Sequence, residues 1–148
     1  YDAMKREVLA SFAGFAERIA PRRTADLRLL GTSGTVTTLA SLHLGLPHYD
    51  RKAVDGLIVP ATAMRGIAAQ LSGMAPQERR RLNCIGSERA DLVVAGCAIL
   101  DAILDIWPAS RLGVADRGIR EGILRSLMSA EAHGEAALRR LRAGAGGP

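Results

Sequence analysis

Aromatic residues are scarce in this sequence, with two Phe, two Tyr and one Trp among 148 residues. So few rings build no platform for stacked single-stranded bases, and no nucleic-acid partner is expected. Cysteine is limited to Cys84 and Cys97. Two thiols make neither a zinc spacing nor a disulfide framework, and a reducing, cytoplasmic setting is expected. Cys97 lies in an apolar stretch and reads as a small buried hydrophobe. His43, His48 and His133 have no Cys or carboxylate cluster around them, so no metal centre is read there. No uncharged apolar run reaches the roughly 18 residues that a membrane helix needs. The first residues also lack the charged-then-apolar layout of a signal peptide. Lysine is nearly missing, so the net charge of +5 rests on arginine. Such a field suits anionic partners, and it fits ordinary solvated arginines equally well.

What is present alternates between helical and extended patterns. Apolar residues at Met4, Val8, Leu9, Phe12, Phe15 and Ile19 predict a helix over 2–20, ended by Pro21 and followed by Arg22 and Arg23 in a linker. Residues 26–30 read as a strand and 36–45 as a helix stopped by Gly45. A loop over 47–52 leads to a strand at 57–59. Pro60 then opens a helix that Ser72 and Gly73 close. Residues 76–82 read as a short basic helix. Its Arg79, Arg80 and Arg81 point to different faces, either as an anion patch or as solvated surface. The longest helix is predicted over 88–107, with Leu92, Gly96, Ile99, Ile103 and Ile106 in one stripe and Leu92, Ile99 and Ile103 buried. Gly96 inside it needs a compensating reason, either close packing or ligand approach. A strand at 111–115, a turn at 116–118, helices at 119–128 and 130–143, and a Gly-rich tail complete the pattern. Strands alternating with helices predict an α/β layered domain. Three strands are few for an open sheet, which suggests that neighbouring strands lie outside this chain.

The chemistry concentrates where the first strand meets the second helix. Gly31, Thr32, Ser33, Gly34 and Thr35 join a short apolar run to an apolar helix. The two glycines permit positive φ and close backbone approach, and the first-turn N–H groups of a helix lack intrahelical partners. With the helix dipole, such a place suits phosphate. It lacks the Lys of a P-loop and the glycine spacing of a dinucleotide fingerprint. An αβ turn with Thr35 as N-cap explains the same residues without a ligand. Farther on, Ser87 can cap a helix whose first turn holds Glu88. Glu88 and Asp91 can orient a metal-bound water, or serve as a helix-start acid and a salt-bridge partner. Arg117 and Glu121 stand four apart and can pair with each other.

Three segments in this order resemble the exopolyphosphatase / guanosine pentaphosphate phosphatase (Ppx/GppA) family of the actin-like superfamily. Residues 31–39 look like the nucleotide-loop motif. Residues 88–96 look like the second connecting helix. Residues 116–124, Asp-Arg-Gly-Ile-Arg-Glu-Gly-Ile-Leu, look like the terminal signature. The resemblance covers roughly residues 1–128.

The resemblance implies a partial RNase H-like lobe of the actin-like ATPase fold. It implies the C-terminal part of a second domain over 1–128, then a helix over 129–143 and a flexible tail over 144–148. It implies a phosphoanhydride hydrolase acting on inorganic polyphosphate or guanosine pentaphosphate, with a divalent cation, magnesium, in the parent enzyme. The family's water-activating glutamate and its Asp-x-Gly-Gly-Gly-Ser loop are not found here. No catalytic residue or bound metal is therefore expected in this chain. Gly31, Thr32, Ser33, Gly34 and Thr35 would bind phosphate or nucleotide, with Glu88, Arg89, Asp91, Asp116, Arg117 and Arg120 in support. The expected partners are polyphosphate or guanosine penta- or tetraphosphate, an absent N-terminal domain, and further copies in a homo-oligomer. A nonenzymatic module that binds nucleotide or alarmone, or serves assembly, is the alternative.

Overall fold

The computed structural model describes residues 1–19, 28–32 and 34–144, with the side chains of Ser87 and of 132–144 left aside. The chain divides into two units, Tyr1–Asp116 and Arg117–Pro148. The expected residues Arg22, Arg23, Ser33, the start of the first strand and the tail beyond 144 fall outside the described residues.

The first unit is a mixed α/β layer. Helix α1 (Asp2–Ile19) precedes β1 (Leu29–Gly31), α2 (Gly34–His43), α3 (Arg51–Val54), β2 (Ile58–Pro60) and α4 (Ala61–Gly73). Two short helices follow, α5 (Pro76–Arg80) and α6 (Gly86–Arg89), then α7 (Leu92–Ile106) and β3 (Arg111–Val114). The strands lie in the order β1-β3-β2. β1 runs parallel to β3 with Leu29 opposite Leu112, and β2 runs antiparallel to β3 with Val59 opposite Leu112. Pro60 ends the edge strand β2, where its missing N–H costs no ladder bond.

The core packs α2, α4 and α7 onto this sheet. Leu39, Met64, Leu71, Leu104, Leu112 and Val59 are all fully buried within it. Helix α2 ends as expected at Gly45, whose φ of +63° is the left-handed position of a Schellman cap. The Leu46 N–H donates to Ser41 O and the Gly45 N–H to Leu42 O, which satisfies two terminal carbonyls. The expected loop over 47–52 instead contains the start of α3, where Asp50 accepts from the Lys52 N–H at 2.9 Å.

The long helix differs from expectation in two ways. Its ladder breaks at Ala90 and Asp91, so α6 and α7 are separate, although both residues keep right-handed helical dihedrals. Its buried face is Val93, Cys97, Leu100 and Leu104, not Leu92, Ile99 and Ile103. Leu92 is 70% exposed and Ile99 45%. Ile99 and Ile103 line an apolar groove of about 290 Å³ with Leu30, Gly31 and Leu112. That groove runs beside β1, which pairs only with β3 among the described residues. The expected stripe therefore faces an open sheet edge.

Helix α1 has no fully buried residue and is fastened to α7 by charge and by rings. Lys5 Nζ lies 2.7 Å from both Asp101 and Asp105, and Arg65 of α4 pairs with the same two carboxylates. Phe12 and Phe15 meet Trp107 edge-on at 5.9 Å. The Lys5 hydrogen bond holds the Asp105 carboxyl below its ordinary 3.8. The bonds to Asp101 and Asp105 raise Lys5 above 10.5. Burial, with the Asp101 charge, pushes the Tyr1 phenol up to about 12. A depressed carboxyl stabilises the fold above its unfolded value, and a raised amine or phenol does so below its own. Stability is expected to be flat through neutral pH. It should fall as acid protonates Asp105 below 3.8, and again as alkali neutralises Lys5 above 10.5. Urea unfolding of the wild type and Lys5→Met across both limbs checks this, because the variant should lose the alkaline contribution of Lys5.

The second unit is built on α8 (Ile119–Gly144), a single helix crossing the expected break near 129. Glu121 reaches back to accept from the Gly118 N–H at 2.9 Å, which caps the first turn. Among the described residues no helix is long and apolar enough to cross a membrane.

Candidate functional site

The loop between β1 and α2 lies where an α/β layer presents a helix N-terminus. Its glycines serve it by their small size. Among the described residues, positive φ is confined to Gly45, Gly56 and Gly86, so Gly31 and Gly34 do not need that freedom. A Cβ on Gly31 would stand 2.7 Å from both Cγ atoms of Val36, so this strand end must be bare for α2 to start there. Gly34 is the first residue of α2, which places Thr35 inside the helix. The expected N-cap role of Thr35 is corrected accordingly. Thr35 instead packs on Gly96 of α7. Its Cγ2 lies 2.7 Å from the place a Gly96 Cβ would take, and its hydroxyl lies closer still. Close helix packing is the reason for a glycine inside α7.

A cleft of about 230 Å³ opens onto the first turn of α2, lined by Gly34, Thr35, Thr38, Arg89, Leu92 and Val93. Arg89 is the end of α6, and its Nη1 comes within 3.4 Å of where a Gly34 Cβ would stand. A guanidinium thus sits beside the positive end of a helix, and among the described residues no carboxylate lines the cleft. A full charge and the positive end of a helix dipole meet there, an arrangement that suits an anion. Thr38 is the lining residue that the motif reading left out. Its signal was the spacing of Thr35 and Thr38, three apart on one helix face.

The other expected residues are placed elsewhere. Glu88 lines a neighbouring cleft of about 360 Å³ with Tyr49, Asn83, Cys84 and Arg89. Asp91 pairs with Arg80 at 3.1 Å and loosely with Arg79 at 3.8 Å, the salt-bridge reading of the two that were open. Asp116 is clasped by its own unit. Tyr49 Oη donates to it at 2.5 Å, Arg51 Nε lies 3.1 Å from it, and its N–H donates to Asp55 at 3.0 Å. Loss of surrounding water and the Asp116 bond push the Tyr49 phenol up to about 12. Arg117 and Arg120 belong to the second unit. Among the described residues, no three His, Cys, Asp or Glu side chains gather to hold a metal. The acids present do not fit a divalent-cation cage, and no step proposed below runs through one.

The Ppx/GppA phosphatase family matches residues 2–131. The chain belongs to this family. It is 29% identical over 120 residues to exopolyphosphatase 2 of Mycobacterium tuberculosis, covering 75% of this chain and 38% of that protein. The crystal structure of the Aquifex aeolicus Ppx/GppA family member superposes with a TM-score of 0.68 at 28% identity, over 82% of this chain and 40% of that one. An exopolyphosphatase from Cytophaga hutchinsonii shares the fold with a TM-score of 0.72 at 18% identity, over 88% of this chain and 43% of that one. The α/β architecture with a small sheet and flanking helices is that of Ppx/GppA proteins. The chain spans well under half the length of these relatives.

Proposed function

We propose that this chain supplies the anion-holding face of a phosphoanhydride hydrolase that acts on inorganic polyphosphate or guanosine pentaphosphate. The observation that carries the reading is Arg89 beside the first turn of α2, a full charge and the positive end of a helix dipole around one cleft. Gly31, Thr32, Gly34 and Thr35 keep the loop small enough for phosphate oxygens to reach backbone donors. Ser33, which stands between Thr32 and Gly34 in the motif, lies outside the described residues. Arg89 would neutralise charge on the phosphate, which is the larger part of what phosphoryl transfer asks of a protein. A water-activating carboxylate is not among the residues assigned to the cleft. On this reading hydrolysis draws its water-activating group from further segments of the parent protein. The groove beside β1 and the exposed Leu30 favour association with such segments or with a second copy.

Two outcomes are expected. The 148-residue chain should bind tripolyphosphate weakly and saturably in calorimetry, and Gly34→Val should abolish that binding while leaving the thermal melt nearly unchanged. The chain alone, given magnesium, should release no phosphate from polyphosphate or guanosine pentaphosphate. Turnover near that of an intact family enzyme would place the whole active site within these residues and overturn the division proposed. A nonenzymatic nucleotide-binding module is the second reading, which the hydroxyl, glycine and arginine lining of the cleft fits as well. It would be supported if joining the chain to the rest of its protein restored no turnover.

A further inference from the structure

Arg79 is among the few charged residues sealed into this fold, at 7% exposure. Nothing in its sequence neighbourhood sets it apart from Arg80 and Arg81. Its guanidinium ties together two other chain segments. Nε donates to Ala90 O at 2.7 Å, and Nη1 donates to Leu71 O at 3.3 Å and to Met74 O. Leu71 and Met74 are the end of α4, and Ala90 is the joint between α6 and α7. The residue before that joint is Arg89, whose guanidinium reaches the cleft at Gly34.

We infer that Arg79 is a positioning residue for the anion site: by tying the Ala90 carbonyl to the end of α4, it sets where α6 stops and so aims Arg89 at the first turn of α2. This rests on the anion-site reading above. The fork is what the task requires. Nε and Nη1 address carbonyls on different segments, while a lysine ammonium is a single point that cannot hold them apart. A joint released from Ala90 O leaves α6 free to turn. Arg89 then loses its fixed distance to the cleft while the α2 loop itself is unchanged.

The test is a double-mutant cycle on the 148-residue chain, read by calorimetric affinity for tripolyphosphate at a temperature where circular dichroism shows every variant folded. R89A is expected to weaken binding about tenfold, the size of one lost charge-assisted hydrogen bond. R79K should weaken it by a similar factor, and R79Q serves equally if the lysine variant folds poorly. R79K placed on the R89A background should change affinity less than about twofold, because nothing remains to be aimed. The Arg89 Nε–Hε resonance should shift in R79K, which a purely structural loss elsewhere would not produce. R79K and R79Q binding like the unsubstituted chain while R89A binds weakly would overturn the positioning role alone. No saturable binding by the unsubstituted chain would overturn the anion site and the positioning role together.

Discussion

Arg79→Ala is expected to lower the unfolding free energy by about 3–5 kcal/mol. The side chain is 7% exposed and donates to Ala90 O, Leu71 O and Met74 O. Removing it takes this donor from Ala90 O and Met74 O, while Leu71 O keeps the Met74 N–H, and each buried group left unpaired costs about 1–3 kcal/mol. It also opens a void beneath Ala90, which is itself fully buried. Arg79→Lys should lose less, about 1–2 kcal/mol, since an ammonium can still reach one of the carbonyls. Arg80→Ala is the control: Arg80 is exposed and pairs with a 60% exposed Asp91, so its loss should fall within about 0.5 kcal/mol. Urea denaturation of the three variants decides the matter. Equal midpoints for Arg79→Ala and Arg80→Ala would mean that water replaces the guanidinium at no cost.

The second large effect separates the two faces of the core. Leu39 of α2 is fully buried under the sheet, and Leu39→Ala is expected to cost about 2–5 kcal/mol through lost burial and the cavity left behind. Ile99 of α7 is 45% exposed beside the groove, so much of it already meets water. Ile99→Ala in the 148-residue chain is expected to cost about 1 kcal/mol or less. Thermal melts rank the pair. The reverse order would mean that the groove is closed in solution, by a second copy or by a rearranged α7.

Much of the architecture could be read from residue patterns. The helices α1, α2 and α4 were legible because their apolar spacing, Gly45 and Pro60 mark face and ends by local chemistry. The second and third strands and the end of the first were found to within a residue, because Gly, Pro and Asp punctuate them. The buried face of α7 was not legible. Nearly every position from Leu92 to Ile106 is apolar, so spacing alone could not choose between Val93-Cys97-Leu100-Leu104 and the Leu92-Ile99-Ile103 stripe. Only the sheet edge decides it. The joint at Ala90 was hidden for a related reason, since the bond that ties it down comes from Arg79 on another helix. At the site, the loop was visible as a string of small residues, but its geometry was misjudged. Gly31 is needed for Val36 to pass and Gly96 for Thr35 to sit, neither for positive φ. Arg89 could be suspected from its motif, while its place beside α2 required the fold.

The strand order carries a consequence for how this protein is made. Among the described residues β3 follows β1 and β2 in sequence and is the middle strand of the sheet. Leu29 and Val59 both face Leu112, so neither β1 nor β2 has its strand partner until residues 111–114 have left the ribosome. Closing loops of that length before any ladder forms is entropically slow, and folding dominated by such distant pairings is slow with it. Until β3 emerges, β1 and β2 of the nascent chain lack the partner they share in the finished fold, while the apolar helices meant to cover them are already made. It is during this interval, more than in the finished fold, that its edges are open to other chains.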